Sequence, residues 1–117
     1  MIHKHSVSNL LEGVYYLPRE IAWLEDDIAK LKATGDDIWQ ETIRLESARL
    51  ARCNEELQTA MGIIAGVEDP VLLDVIEMRC LQRMGWVQIA RKMPGNMGSA
   101  GYRQMFYRWM LTVEAAQ

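Results

Sequence analysis

Apolar residues recur along most of the chain at the three- and four-residue spacing that is typical of amphipathic helices. The first stripe predicts a helix that begins near Pro18 and ends at Thr34-Gly35. Proline costs no hydrogen bond in a first helical turn, and glycine readily takes the left-handed conformation that ends a helix. The stripe consists of Leu17, Ile21, Leu24, Ile28 and Leu31.

A second helix is predicted from about residue 37 to residue 65, because this stretch contains no proline and only one late glycine, Gly62. Either Asp36 or Asp37 is expected to cap it. The two helices should pair as an antiparallel hairpin across the short "TGDD" turn. The second helix is longer, about 43 Å against about 25 Å. Its last turns therefore need another partner, either the C-terminal part of the chain or a second chain.

Three shorter helical patterns follow. Asp69-Pro70 reads as a cap and first-turn proline of a third helix that ends near residue 84. A fourth helix is predicted over 86–93, the "PGNMG" stretch breaks it, and Ser99 is expected to cap a fifth helix that runs to about Glu114. No strand-like alternation appears. The predicted fold class is all-α, a coiled-coil-like N-terminal antiparallel hairpin followed by a C-terminal helix-turn-helix.

Length and composition fit one ordinary domain with three parts. We predict a flexible tail over 1–13, a hairpin over 14–66 for oligomerisation or partner contact, and a helix-turn-helix over 67–117. Half of the residues are hydrophobic and a quarter are charged, as in globular proteins. The longest uncharged apolar run, 61–67, is far shorter than the ~20 residues of a membrane span, and the N-terminus lacks a signal-peptide core. The expectation is a cytoplasmic protein without a membrane partner.

Catalysis, cofactors and metal sites are not expected. Cys53 and Cys80 stand singly in helical patterns, so the sequence indicates free thiols and not a disulfide framework. The only histidines, His3 and His5, fall in the predicted tail, which leaves no Ser-His or Cys-His pairing for nucleophilic catalysis. No phosphate-binding glycine loop is present.

Charge is distributed very unevenly along the chain. Residues 1–77 hold 15 acidic and 7 basic residues, a net charge of −8, whereas residues 78–117 hold six basic residues and one acid, Glu114, a net charge of +5. Such asymmetry indicates an anionic partner for the basic part. The alternative is that the two parts attract each other within one fold.

The basic part has the pattern of a helix-turn-helix, in which the last helix lies in the major groove of DNA. Once the apolar stripe of that helix is set aside, the outward positions carry Arg103 and Gln104, which pair with guanine and adenine. Small Ala100 would let the helix start lie close to DNA, while Trp86 and Trp109 are expected to form the packing centre. The predicted DNA-binding residues are Gln88, Arg91, Lys92, Ser99, Arg103, Gln104, Tyr107 and Arg108. The alternative for these residues is a solvated helix face, but such faces normally alternate in sign.

"RCLQRMGWVQIARKM" followed by "SAGYRQMFYRWM" resembles the phage-encoded late-gene transcriptional activators of the RinA/ArpU type, whose helix-turn-helix is similar to the fourth region of sigma factors. The family's elements fall on Arg79-Cys80-Leu81, Trp86, Ile89-Ala90 and Ser99. Here Cys80 replaces the usual aromatic residue, and the "PGNMG" turn is longer than usual. The resemblance implies sequence-specific binding to phage or prophage DNA and contact with host RNA polymerase.

The leading hypothesis is therefore a sequence-specific, DNA-binding transcriptional regulator of phage or prophage type. It would bind double-stranded DNA through the basic part and form a homo-oligomer through the hairpin. Two alternatives remain open. One is a helical protein-interaction adaptor whose basic surface docks an acidic protein, and the other is a small terminase-type packaging component that binds DNA as a ring.

Overall fold

A computed structural model describes residues 6–116, and every regular element within them is helical. A 3₁₀ turn, Asp37–Trp39, leads into the third helix, and a π-helical turn, Glu77–Leu81, extends the fourth. The expectation of an all-α fold is confirmed. The helices are α1 (Ser6–Gly13), α2 (Leu17–Thr34), α3 (Gln40–Ala65), α4 (Pro70–Ile76), α5 (Trp86–Lys92) and α6 (Gly98–Ala116).

Helices α2 and α3 pack along each other in opposite directions. Gly35 ends α2 with a φ of 65°, the left-handed conformation that glycine adopts without a steric penalty. Asp36, and not Asp37, caps the 3₁₀ turn that leads into α3, because its carboxylate accepts a hydrogen bond of 3.1 Å from the backbone N–H of Ile38. Helix α3 itself begins after Trp39 without a side-chain cap. Farther from the turn, Arg49 Nε donates to Glu20 Oε1 at 2.6 Å and links the two helices.

The prediction of a flexible tail over 1–13 is wrong for the residues that form α1. Leu11 is fully buried, and the hydroxyl of Ser8 donates a hydrogen bond to the carboxylate of Glu114 near the end of α6. Helix α1 contacts both α3 and α6. A partner for α3 therefore comes from the N-terminus, whereas the prediction named the C-terminal part or a second chain.

The centre of the C-terminal half is formed by α4, α5 and α6. Asp69 begins α4 as predicted, since its carboxylate accepts a hydrogen bond of 3.0 Å from the backbone N–H of Val71. Ile76 of α4, Ile89 of α5 and Phe106 of α6 are all fully buried. The three side chains belong to one hydrophobic core, which holds α6 in place and leaves its opposite side open to solvent.

Candidate nucleic-acid interface

Helix α6 separates a buried side from a polar exposed side, as its sequence pattern predicted. Tyr102 and Phe106 are buried, at 1% and 0% exposure. The residues predicted to face outward are all exposed and lie on the other side. Their spacing of three or four residues is close to one helical turn of 3.6 residues, so they share one side of the helix. They are Ala100, Arg103, Gln104, Tyr107 and Arg108.

Helix α5 lies against α6 and presents its own polar side chains. Gln88, Arg91 and Lys92 are exposed, while Ile89 turns inward and is fully buried. The side-chain oxygen of Gln88 accepts a hydrogen bond of 3.0 Å from the backbone N–H of Gly85, which closes the first turn of α5. Gln88 thus has a structural role, and within residues 6–116 its side-chain amide nitrogen donates to no other group.

Ser99 does not cap α6 as the sequence predicted. The helix begins at Gly98, whose φ is 70°, so Ser99 falls inside the first turn and is half-buried. Residues 93–97 connect α5 to α6. This connection is longer than the three or four residues of a tight helix-turn-helix turn. Gly95 lies close to Tyr102 in this connection: a Cβ at position 95 would lie 2.6 Å from the hydroxyl oxygen of Tyr102, so a larger residue would force one of the two to shift.

An open groove of about 590 Å³ runs between the two helices, which we call the α5–α6 groove. The indole of Trp86 and the phenol ring of Tyr107 lie with their centroids 6.2 Å apart at this groove. The guanidinium carbon of Arg103 is 5.8 Å from the Tyr107 ring centroid, within range of a cation–π interaction. Trp86, assigned to packing by the sequence, therefore packs on Phe106 and also borders the exposed site. The residues that line the groove are Trp86, Ser99, Ala100, Arg103, Gln104 and Tyr107.

Arg79 is engaged inside the fold and does not belong to the exposed site. Its guanidinium lies 3.6 Å from the carboxylate of Glu12 in α1 and donates to the backbone carbonyl of Met84 at 3.2 Å. The guanidinium carbon is also 5.0 Å from the ring centroid of Trp86. A positive charge of the basic part thus holds α1 in place.

Arg83 is engaged in a similar way. It has a φ of 52°, a left-handed conformation that is uncommon outside glycine. Its guanidinium donates to the backbone carbonyl of Glu12 at 3.0 Å and lies 4.9 Å from the ring centroid of Tyr16. The alternative of attraction between the two parts within one fold therefore applies to Arg79, which pairs with an acid, whereas Arg83 is held by a backbone carbonyl and an aromatic ring.

Four basic residues of the C-terminal part remain on the exposed side. They are exposed, and within residues 6–116 none of them forms an ion pair. The single acid of this part, Glu114, is held by Ser8 of α1. No acidic residue of the C-terminal part therefore neutralises the positive charges on the exposed side. The four are Arg91, Lys92, Arg103 and Arg108.

A second open groove, of about 420 Å³, lies on the other side of Gln104, between α4 and α6. Its walls are more apolar and include Leu72 of α4 with Met97 and Trp109. Met97 is 48% exposed, so it does not fill the core as the other methionines of this segment do. We refer to this feature as the α4–α6 groove.

Other kinds of site have no counterpart in the part of the chain that the structure describes. No three side chains among histidine, cysteine, aspartate and glutamate come together there as a metal site requires. His3 and His5 lie outside the described residues. None of the described helices combines the length and the apolar character that crossing a membrane requires.

Comparison of the chain with protein-family models, with curated proteins and with solved structures finds no match.

Proposed function

We propose that this protein is a sequence-specific, DNA-binding transcriptional regulator of phage or prophage type, without enzymatic activity, that acts in the cytoplasm. The observation that carries this proposal is the exposed side of α5 and α6, which holds four free basic residues and no acid. A face that carries only positive charge attracts anions, and duplex DNA carries a phosphate charge every ~1.7 Å along its axis.

Some side chains on this face are suited to contact base edges, and others are suited to contact the DNA backbone. Arg103 can donate two hydrogen bonds to guanine, and Gln104 can pair with adenine. Both lie in the first half of α6, the half that reaches base edges in helix-turn-helix proteins. Arg91 and Lys92 at the end of α5, together with Arg108 farther along α6, are suited to phosphate oxygens.

Self-association through α2 and α3 is a further part of the proposal. Trp23, Ile38 and Leu45 are 55%, 71% and 55% exposed, and no residue of α3 from 40 to 52 is buried. A second copy of this helical pair would cover these side chains, as in four-helix bundles. The resemblance to phage activators adds host RNA polymerase as a partner. Size-exclusion chromatography with light scattering would report two chains of 13.5 kDa for a dimer and many more for a packaging ring.

The test of DNA binding is fluorescence anisotropy of the full chain with promoter duplexes across a salt series. Because four and not six basic residues are free, the log–log slope per chain should reach at most about −3.6. Arg103→Ala should cost about 1–3 kcal/mol of specific binding and relax the base preference at its position, with little change in the slope. Arg52→Ala is the matched control, since Arg52 is also exposed and lies on α3, away from α5 and α6; light scattering checks that the variant keeps the oligomeric state of the unaltered chain.

Absence of binding at low salt would reject the proposal, as would equal effects of the two arginine variants. The second candidate, an adaptor that docks an acidic protein, is favoured by one observation. The α4–α6 groove offers an apolar surface directly beside Arg108, a combination suited to an amphipathic acidic segment. An adaptor would tolerate Arg103→Ala in every DNA assay.

A further inference from the structure

The α5–α6 groove is apolar at the place where a DNA-reading surface is expected to be polar. Beside the polar side chains of Ser99, Arg103 and Gln104, the groove is lined by the methyl group of Ala100 and the rings of Trp86 and Tyr107. Tyr107 is 39% exposed, and Ala100 is exposed as well, so this apolar area is open to an incoming ligand.

Bases differ in what they present to such a surface from the major groove. Thymine alone among the standard bases carries a C5-methyl group there, whereas cytosine presents an N4 amino donor. An amino group placed against the methyl of Ala100 and the ring of Trp86 would lose its hydrogen bonds to water without a replacement. That desolvation disfavours cytosine at this position. A methyl group placed there gains contact with apolar atoms.

Gln104 connects this apolar area to a particular base pair. It stands one turn after Ala100 on the same side of α6, and both line the groove. A glutamine that reads adenine through N6 and N7 has the methyl group of the paired thymine on the same major-groove edge. The two features therefore fit the two halves of one A·T pair.

We propose that the α5–α6 groove binds the 5-methyl group of a thymine whose paired adenine is read by Gln104. This inference rests on the proposed DNA-binding function and adds a base preference to it. Ala100, Trp86 and Tyr107 act as specificity-determining residues, and they select thymine through its methyl group.

The experiment uses the full chain and a duplex selected by that chain from a random pool. Each thymine of the selected duplex is replaced in turn by deoxyuridine, which removes only the methyl group. One position should bind about fourfold more weakly, the factor that one buried methyl-sized group supplies. The remaining positions should be unaffected.

Two variants assign the effect to the groove. Ala100→Ser places a hydroxyl in the apolar area, so the variant should bind the thymine and deoxyuridine duplexes equally well. Ala115→Ser is the matched control on the same helix, outside the groove, and should keep the fourfold difference. Circular dichroism checks that both variants remain folded.

The outcomes separate the two proposals. Salt-dependent binding without any methyl-sensitive position overturns this inference and leaves the DNA-binding function standing. A methyl-sensitive position that Ala100→Ser does not alter overturns the assignment to the groove. Lack of salt-dependent binding to any duplex overturns both, and in that case the apolar area would be tested for an acidic peptide.

Discussion

Replacement of Leu11 by alanine tests whether α1 is part of the folded core. Leu11 is fully buried, and the core around it includes Val14 of the following segment and Ile64 of α3. Truncation of a buried leucine to alanine typically costs 2–5 kcal/mol, because the lost apolar contact is accompanied by a cavity. A central value of about 3 kcal/mol is appropriate for a side chain with no exposed surface.

The expected loss of stability can be converted into a shift of the melting temperature, Tm, because the unfolding entropy scales with chain length. For 117 residues, an unfolding entropy of about 2.1 cal/mol/K per residue gives a shift of roughly 4 °C for each kcal/mol. Leu11→Ala should therefore lower Tm by about 12 °C. The assay is thermal unfolding followed by circular dichroism in the helical region of the spectrum.

Leu111→Ala is the matched control for this experiment. Leu111 is also a helical leucine, but it lies on α6 with 65% exposure. Surface substitutions of this kind usually change stability by less than about 0.5 kcal/mol, which corresponds to roughly 2 °C here. Equal, small shifts for the two variants would refute the packing of α1 and restore the flexible tail.

Two further predictions concern ionisable groups. The pKa of Glu46 is raised, first by its interaction with the carboxyl of Asp27 on α2 and then by burial, so the folded chain holds this proton more tightly than the unfolded chain does. The resulting stabilisation is complete at low pH and is lost as pH rises through the raised pKa. Glu46→Gln should therefore increase Tm at neutral pH and change it little at about pH 3.5. An increase in Tm at low pH alone would contradict this prediction. Burial raises the pKa of the Cys80 thiol to about 12, and burial also raises that of Cys53. Both thiols should therefore react slowly with Ellman's reagent at about pH 8 in the folded chain and rapidly in guanidinium chloride, and fast reaction of Cys80 before unfolding would contradict its placement.

The candidate interface was partly predictable because α6 has a long, regular stripe. Residues that are three and four apart share a side of a helix, so Tyr102 and Phe106 indicated the buried side, and Arg103 and Gln104 followed on the exposed side. Ser99 was placed wrongly as a cap. The left-handed Gly98 begins the helix one residue earlier, and boundaries of this kind are decided by the local backbone.

Helix α1 was missed although its signal is present in the sequence. Val7, Leu10, Leu11 and Val14 follow the spacing of a helical stripe, but the stretch is short and lies at a terminus. Isolated helices of this length are not stable in water. Whether such a segment folds depends on the apolar surface available to it elsewhere, which sequence spacing does not reveal.

The sequence by itself indicated the helices after residue 14 and the apolar side of each, since proline, glycine, capping aspartates and apolar spacing act over one or two turns. Only the tertiary structure decided which charges remain free. Arg79 and Arg83 look the same in the sequence as Arg103 and Arg108, yet the first two are bound to Glu12, about 70 residues earlier in the chain. Contacts over such separations depend on how helices pack together. Packing half-buries Arg79 and ties the exposed Arg83 to α1, whereas Arg91, Lys92, Arg103 and Arg108 form no ion pair within residues 6–116.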